Sequence, residues 1–137
     1  MKLLLLTLLL SSCYPVGIAS EPKAEKKVVE YEARVTYYWP NNGGQVGTQT
    51  STGAKAISGV TIAVDPKIIP YGSKVTIPKM GKTFIAQDTG GHVRSRKAAL
   101  RYGENVIVVD IFCANKEEAT RNIKNFPMVM KVLVEKK

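Results

Sequence analysis

Two aspartates stand where apolar, β-rich runs meet polar residues, and a carboxylate in such a position can serve acid–base chemistry. Asp88 follows the run 83–86 and precedes Thr-Gly-Gly, whereas Asp110 interrupts the Val- and Ile-rich run 106–112. Burial among apolar neighbours disfavours the charged carboxylate and raises its pKa toward the value that a general acid needs near neutral pH. An outward-facing position on a half-exposed strand is the alternative for Asp110.

The segments that must position these aspartates are mostly short strands. Runs rich in Val, Ile, Thr and Tyr, bounded by Gly, Pro and Asn, predict strands at 28–39, 57–64, 73–77, 106–112 and 128–134, with a further strand ending at Asp88. One helix is predicted over 116–124, with Glu117 and Glu118 in its first turn. The basic segment 92–97 is predicted to be a loop. These elements indicate a mainly β fold, a small six-stranded barrel with one or two short helices.

The first 12 residues predict a lipoprotein signal peptide. Lys2 precedes an apolar run over 3–10 that is too short to span a hydrocarbon core of about 30 Å. The sequence Leu10-Ser11-Ser12-Cys13 resembles a bacterial lipobox, which implies that Cys13 carries lipid and anchors the protein in the bacterial cell envelope (on the outer membrane, facing the periplasm, in a Gram-negative cell). Residues 13–27 are predicted to be a flexible tether to a domain at 28–137. An ordinary secretory signal with an incidental Cys13 is the alternative.

The composition and net charge of the chain limit the classes of molecule that it could bind. The chain has 137 residues, room for one domain, and a formal charge of +9 from dispersed basic residues. This charge favours an anionic polymer or surface, while the absence of a nucleic-acid-binding signature argues against DNA or RNA. Two cysteines exclude a disulfide scaffold, and Cys113 is predicted to be a small buried thiol. We expect a monomer that needs no cofactor and no metal, since His92 is the only histidine.

Four short motifs together resemble the 3D domain, a family named for three aspartates. They are Ala63-Val64-Asp65-Pro66, Ile69-Pro70-Tyr71-Gly72-Ser73, Ala86-Gln87-Asp88-Thr89-Gly90-Gly91 and Val109-Asp110-Ile111-Phe112. The resemblance covers roughly residues 35–115 and implies a double-psi β-barrel, shared with MltA-type lytic transglycosylases and related to the RlpA and expansin barrels.

The same resemblance implies an activity and roles for the three aspartates. The activity is cleavage of peptidoglycan glycan strands between N-acetylmuramic acid and N-acetylglucosamine, leaving a 1,6-anhydromuramyl end. Asp110 matches the family's catalytic acid, and Asp88 matches a second active-site aspartate, expected to hydrogen-bond near Asp110 and help hold its proton. Asp65 is expected to be structural, fixing the Asp65-Pro66 turn.

Substrate contacts are expected on both sides of these aspartates. Thr89, Gly90 and Gly91 fit a tight loop that lets the sugar chain approach the backbone. The family pattern continues with Ala-Ile-Lys-Gly, where this chain has His92-Val93-Arg94-Ser95. Arg94 therefore replaces a lysine, and we assign it to a carboxylate of the substrate. Thr36 and Tyr37, with Trp39, are expected to contact sugar faces, ordinary strand packing being the alternative.

Two other functions compete with this interpretation. A non-catalytic barrel that binds cell-wall glycan fits the same fold, because a fold does not determine a function. An aspartic protease would use Asp88-Thr89-Gly90. A single copy of that motif would need a homodimer to pair two aspartates, and the other two aspartate motifs would go unexplained.

Overall fold

The structure, a computed structural model, describes residue 17 and residues 24–41 and 47–137. The predicted signal peptide, the predicted lipidation site Cys13, most of the predicted tether and residues 42–46 lie outside the described residues. No helix within the described residues is long and apolar enough to cross a membrane.

Within the described residues, the regular structure consists of six strands, two α-helices and two short 3₁₀ helices (Pro78–Met80 and Leu100–Tyr102). The strands are β1 (Val28–Tyr38), β2 (Thr61–Ala63), β3 (Lys74–Ile77), β4 (Lys82–Asp88), β5 (Ile107–Phe112) and β6 (Val129–Glu135). The α-helices are α1 (Gly91–Ser95) and α2 (Lys116–Asn125). The predicted mainly β fold with one or two short helices is confirmed.

The strands close into a barrel in the order β1-β5-β2-β4-β3-β6. The pairs β1/β5 and β2/β4 are parallel, and the other pairs are antiparallel. Parallel neighbours cannot be joined by a tight hairpin, so the chain must cross between distant strands. These crossings bring β1, β5, β2 and β4 together as four consecutive strands.

Two of the predicted elements differ from the structure, one in its length and the other in its type. The strand predicted over 57–64 is shorter because Val60 and Thr61 donate their backbone N–H groups to Ile57 in a turn, with Gly59 in the left-handed region at φ 80°. The basic loop predicted after Gly91 instead begins with a helical turn, α1, whose Val93 is buried. The buried Val93 side chain fixes this segment against the barrel, whereas the many basic residues of the segment had suggested an irregular surface loop.

Alternation along the strands separates two apolar clusters. The interior cluster fills the barrel and includes Val35, Ile62, Phe84, Val109 and Ile111. A second cluster covers part of the outer face and contains Tyr38, Ala56, Ala63, Val93, Ala99, Val106, Val108 and Phe112. Its members come from the strands, from α1 and from the connections, so the outer cluster holds these connections against the barrel wall.

Helix α2 begins where its sequence predicts. The side chain of Asn115 accepts a hydrogen bond from the Glu118 N–H at 2.9 Å, and Glu118 in turn accepts one from the Ala114 N–H. Reciprocal bonds of this kind satisfy backbone donors that the first turn leaves unpaired. Glu118 also accepts from the Ser58 hydroxyl, which ties the helix to the turn before β2.

Candidate active site

The two aspartates lie at the same level of the barrel, on either side of β2. Ala63 in β2 pairs with Asp88 of β4 on one side and with Asp110 of β5 on the other. Asp110 pairs in turn with Thr36 of β1. Residues paired across neighbouring strands have their side chains on the same face. Because Ala63 belongs to the outer cluster, both carboxylates lie on the outer face of the barrel.

A β-bulge at Gln87 places Asp88 on that face. Phe84 and Ala86 of the same strand belong to the interior cluster, so strict alternation would direct Asp88 inward as well. The register shifts between Ile62 and Ala63, so that Ile62 pairs with Ala86 and Ala63 with Asp88. The extra residue reverses the alternation and turns the Asp88 carboxylate outward.

Asp88 is buried and accepts four hydrogen bonds. Tyr38 donates its hydroxyl to Oδ2 at 2.8 Å, while the N–H and hydroxyl of Ser51 and the N–H of Thr89 donate to Oδ1 at 2.8–2.9 Å. Four donors stabilise negative charge on a carboxylate that has little contact with water. Burial, together with the hydrogen bond to Asp88, raises the pKa of the Tyr38 hydroxyl, so this donor keeps its proton.

Among the described residues, the structure shows no direct hydrogen bond between the carboxyl groups of Asp88 and Asp110. Both Asp88 oxygens are used by Tyr38, Ser51 and Thr89. The hydrogen bond that Asp110 accepts comes from the Thr36 hydroxyl, 2.9 Å from Oδ1. Asp88 therefore acts on Asp110 through its charge, across β2.

The surroundings of Asp110 make its carboxyl group a weaker acid than an exposed aspartate. Burial raises its pKa to about 6 from an ordinary value of 3.8, and the Asp88 charge acts in the same direction. The Thr36 hydrogen bond and the charge of His92 oppose this shift. The apolar residues on its own face are Val108 and Phe112, since Val109 and Ile111 belong to the barrel interior. The residues that desolvate Asp110 are therefore two positions away, not the adjacent ones predicted from sequence.

Helix α1 borders the site on the side of β5. Val93 packs in the outer cluster with Val108 and Phe112, which brings His92 close enough to influence the pKa of Asp110. Arg94 is exposed on the same helix. His92 is therefore the basic side chain of α1 that lowers the pKa of Asp110, while the assignment of Arg94 to a carboxylate of the substrate stays a prediction.

The remaining predicted residues are placed around this centre. The Thr89 side chain is partly buried, and its hydroxyl has no hydrogen-bond partner among the described residues. Gly90 is extended and Gly91 begins α1, so neither adopts the left-handed backbone that a tight glycine loop would require. A Cβ atom at either glycine would meet nothing within 4 Å, so space is open beside the backbone here.

Asp65 and Tyr37 lie apart from the two carboxylates. Asp65 follows β2 and accepts a hydrogen bond from the Lys67 N–H at 3.0 Å, which stabilises the turn through Pro66. Tyr37 is on β1 next to Thr36, and alternation turns its ring away from the face that carries Asp110, toward the interior cluster. The structure thus brings together Asp110, Asp88, Thr36 and Thr89.

Tyr38 and Ser51 were not identified from the sequence. Tyr38 is two residues from Thr36 on an alternating strand, so the shared face of the two residues was a usable signal. Ser51 is in the connection before β2 and is 37 positions from Asp88, and no local pattern marks it. Within the described part of the chain, no group of three or more His, Cys, Asp or Glu residues could hold a metal ion.

Comparisons with known proteins find a family model and a curated relative that are similar to parts of this chain. The family model of the 3D domain matches residues 60–125. The cell wall-binding protein YocH of Bacillus subtilis (strain 168) is 32% identical over 107 residues, which are 76% of this chain and 33% of YocH. The chain therefore spans about a third of the length of that relative.

Solved structures to which part of the chain is similar include two lytic transglycosylases. LtgG of Burkholderia pseudomallei has a TM-score of 0.39 and 20% identity, over 64% of this chain and 25% of LtgG. MltA of E. coli has a TM-score of 0.41 and 18% identity, over 66% of this chain and 28% of MltA.

Proposed function

We propose that the chain is a lytic transglycosylase of peptidoglycan, on the basis of the match of the 3D-domain model to residues 60–125. The observation that supports the proposal is the placement of Asp110 and Asp88 on one outer face, on either side of Ala63. The substrate is the glycan strand, cleaved at the β-1,4 bond between N-acetylmuramic acid and N-acetylglucosamine.

Asp110 acts first as the acid. Its raised pKa keeps a proton available in mildly acidic to neutral surroundings. The proton passes to the glycosidic oxygen as the bond from that oxygen to C1 of the muramyl ring breaks. The Thr36 hydroxyl, bound to Oδ1, orients the carboxyl group and stabilises the carboxylate that remains.

Asp110 then acts as the base. Its carboxylate takes the proton from the C6 hydroxyl of the same muramyl ring, and the C6 oxygen forms a bond to C1. The products are a 1,6-anhydromuramyl end and a free sugar hydroxyl, with Asp110 protonated again. Because the nucleophile belongs to the substrate, one carboxyl group suffices, whereas a hydrolase needs a second one to act on water or on C1.

The charge of Asp88 raises the pKa of Asp110. This negative charge is fixed by Tyr38, Ser51 and Thr89 and favours retention of the proton on Asp110. The Thr89 hydroxyl lies buried beside this pair, with no hydrogen-bond partner among the described residues. Arg94, exposed on α1, supplies a cation for a lactyl or peptide carboxylate of the substrate.

Incubation of purified peptidoglycan with the full chain, followed by mass spectrometry of the products, tests this function. We expect muropeptides with 1,6-anhydromuramic acid from the parent chain and none from Asp110→Asn, whose amide cannot exchange the proton. Glu117→Gln, an exposed carboxyl-to-amide change in α2, is the matched control and retains activity. Full activity of a folded Asp110→Asn chain would contradict the assignment, and reducing-end muramic acid would indicate a hydrolase.

A glycan-binding module without catalysis is the second candidate function. The relative that favours it is YocH, which is named a cell wall-binding protein. In that case the parent chain and Asp110→Asn would both sediment with purified sacculi and neither would release anhydromuropeptides. The same incubation therefore separates the two functions.

A further inference from the structure

The Thr36 hydroxyl has one proton to donate and two acceptors within reach. Its oxygen lies 2.9 Å from Asp110 Oδ1 and 3.3 Å from the carbonyl oxygen of Val109. A backbone carbonyl oxygen can only accept, so a hydrogen bond to Val109 uses the hydroxyl proton of Thr36. An ionised carboxylate also only accepts, so Asp110 and Val109 compete for the same proton while Asp110 is charged.

Strand pairing fixes this arrangement. Thr36 of β1 is paired with Asp110 of β5 in a parallel ladder, and Val109 directly precedes Asp110 in the same strand. The Thr36 side chain is branched at Cβ, which restricts its χ1 angle and keeps its oxygen beside both acceptors. Rotation about the bond from Cβ to Oγ1 is therefore sufficient to redirect the proton from one acceptor to the other.

The protonation state of Asp110 decides which acceptor is preferred. A hydrogen bond to an ionised group is about twice as strong as one between neutral groups, so a charged Asp110 attracts the Thr36 proton. Once Asp110 is protonated, this advantage is lost and the carboxyl group itself becomes a donor. With its own proton turned to the Val109 carbonyl, the Thr36 oxygen can accept the proton of Asp110. Both protonation states of Asp110 thus have a hydrogen-bond partner in Thr36.

Four other titratable groups interact with the Asp110 carboxyl group through charge. They are Asp88 on β4, Tyr38 on β1, His92 on α1 and Cys113 after β5. Within the described residues, none of the four forms a hydrogen bond with that carboxyl group, whereas Thr36 does. A change of hydrogen-bond partner when Asp110 gains or loses its proton therefore involves Thr36.

We propose that the Thr36 hydroxyl donates to the Val109 carbonyl while Asp110 holds its proton, and to Asp110 Oδ1 once that proton has left. The role of this acceptor exchange in the reaction rests on the proposed acid–base function of Asp110. As the proton passes to the glycosidic oxygen, the hydroxyl turns to Oδ1 and stabilises the negative charge that forms there. It turns back when the carboxylate takes the proton of the C6 hydroxyl. Thr36 is thus a positioning residue whose bond to the charged carboxylate is absent before the proton is transferred.

Carbon NMR spectroscopy of isotope-labelled full-length chains, without glycan, tests the acceptor exchange independently of cleavage. Asp110→Asn identifies the carboxyl resonance of Asp110, and the pH titration of that resonance gives its acid dissociation constant. Because the hydrogen bond from Thr36 lowers the pKa of Asp110, we expect Thr36→Val to decrease the dissociation constant about 3- to 10-fold. Thr36→Ser, which keeps a hydroxyl at this position, should restore the value of the parent chain.

The carbonyl carbon of Val109 reports on the second acceptor. Its chemical shift responds to the hydrogen bond that the carbonyl accepts, so it should follow the titration of Asp110 with a different amplitude in the parent chain than in Thr36→Val. The comparison removes the direct effect of the Asp110 charge on the neighbouring carbonyl, since Thr36→Val retains that effect. Thr36→Ser should resemble the parent chain. Thr76→Val removes a hydroxyl that bonds to Thr83, away from the site, and is the matched control that changes neither signal.

The acceptor exchange and the lytic activity can fail separately. Equal amplitudes of the Val109 signal in the parent chain and in Thr36→Val would overturn the exchange, because the hydroxyl would then keep one arrangement in both protonation states. An unchanged dissociation constant of Asp110 in Thr36→Val would overturn it as well. Either result together with anhydromuropeptides from the parent chain would leave the lytic activity standing. The expected signals without any anhydromuropeptide would support the exchange and contradict the use of Asp110 in cleavage.

Discussion

Asp88 and Asp110 differ in how their charge is accommodated. Asp88 accepts four hydrogen bonds, whereas Asp110 accepts the hydroxyl of Thr36 and is otherwise bordered by Val108 and Phe112. Donors stabilise a carboxylate, and apolar surroundings destabilise it. Two carboxyl groups on one face thereby acquire different roles, one as a fixed charge and the other as a carrier of a proton.

The raised pKa of Asp110 has a consequence for stability. Its folded value of about 6 exceeds the ordinary 3.8, so between these pH values the folded chain binds more protons than the unfolded chain. Stability therefore falls as pH rises through this window and stays lower above it. Asp110→Asn lacks this loss, so its stability relative to the parent chain should rise by about 2 kcal/mol between pH 4 and pH 7, a value reduced for the partial exposure of the site. Urea unfolding of both chains measures this, and a difference independent of pH would contradict it.

Tyr38 contributes to stability through its bond to Asp88. Tyr38→Phe keeps the aromatic ring, whose centroid lies 5.3 Å from that of Phe112 in an edge-on arrangement. The substitution removes only the hydroxyl that donates a hydrogen bond to the buried Asp88 carboxylate. We expect the free energy of unfolding to fall by about 1.5–3 kcal/mol, the range for hydrogen bonds to charged groups. Thermal unfolding at pH 7 measures it, with Tyr71→Phe as the control, and an unchanged midpoint would show that water replaces the hydroxyl at Asp88.

At the level of elements, the bulge in β4 determines which face of the barrel carries the Asp88 carboxylate. Without it, Asp88 would share the inward orientation of Phe84 and Ala86. Thr61 stabilises this irregularity, since its buried hydroxyl donates to Gln87 Oε1 at 2.9 Å and accepts from the Ile57 N–H at 3.0 Å. A short strand, β2, thus holds both the bulge and the turn that precedes it.

Thr61→Val tests this support. The substitution keeps the shape of the side chain but leaves the Ile57 N–H and the Gln87 oxygen unpaired, so we expect a loss of about 1–3 kcal/mol in urea unfolding. Thr76→Val is the matched control, because its hydroxyl bond to Thr83 is exposed to water and its removal should change stability by less than about 0.5 kcal/mol. Equal effects of the two substitutions would contradict a special role for the bulge.

On the scale of the whole molecule, the candidate site extends beyond the segment that the family model matches. Residues 60–125 supply both aspartates and β2 to β5, whereas β1 and β6 lie outside this segment. Thr36, Tyr38 and Ser51, which donate to the two carboxylates, are also outside it. Closure of the barrel by β1 is therefore what completes the environment of both acids.

The proposed binding of the chain to the cell wall should depend on salt, because the chain carries a large net positive charge. The formal charge is +9, and Arg94, Lys97 and Arg101 are exposed on the α1 side, with no ion pair among the described residues. We expect Lys97→Gln with Arg101→Gln to reduce sedimentation with sacculi that retain their anionic polymers at low salt. The difference should vanish near about 1 M salt, where the screening length is about 3 Å.

A matched pair of substitutions checks that position matters as well as charge. Lys116→Gln with Lys124→Gln removes the same charge from α2 and should reduce sedimentation less than the pair near α1. Sedimentation of the parent chain that is insensitive to salt would contradict an electrostatic contribution.

Local sequence patterns were sufficient to predict the mainly β fold, most of the strands and helix α2. Alternation in β1 and β6, the Val/Ile run of β5 and the acidic first turn after Asn115 are properties of neighbouring residues, so they can be recognised without a structure. The three aspartate motifs are equally local, and they carry the resemblance to the 3D domain and include both carboxylates of the candidate site. The expected roles of those residues remain predictions.

Packing between distant segments decided how these carboxylates are solvated. The outward turn of Asp88 depends on the register between β2 and β4, and its partners Tyr38 and Ser51 come from positions 50 and 37 residues away. Likewise, the residues of β1 after Arg34 have a strand partner only in β5, because β6 begins at Val129, opposite Arg34. Register and long-range hydrogen bonds arise from closure of the barrel, a property that no short stretch of residues contains.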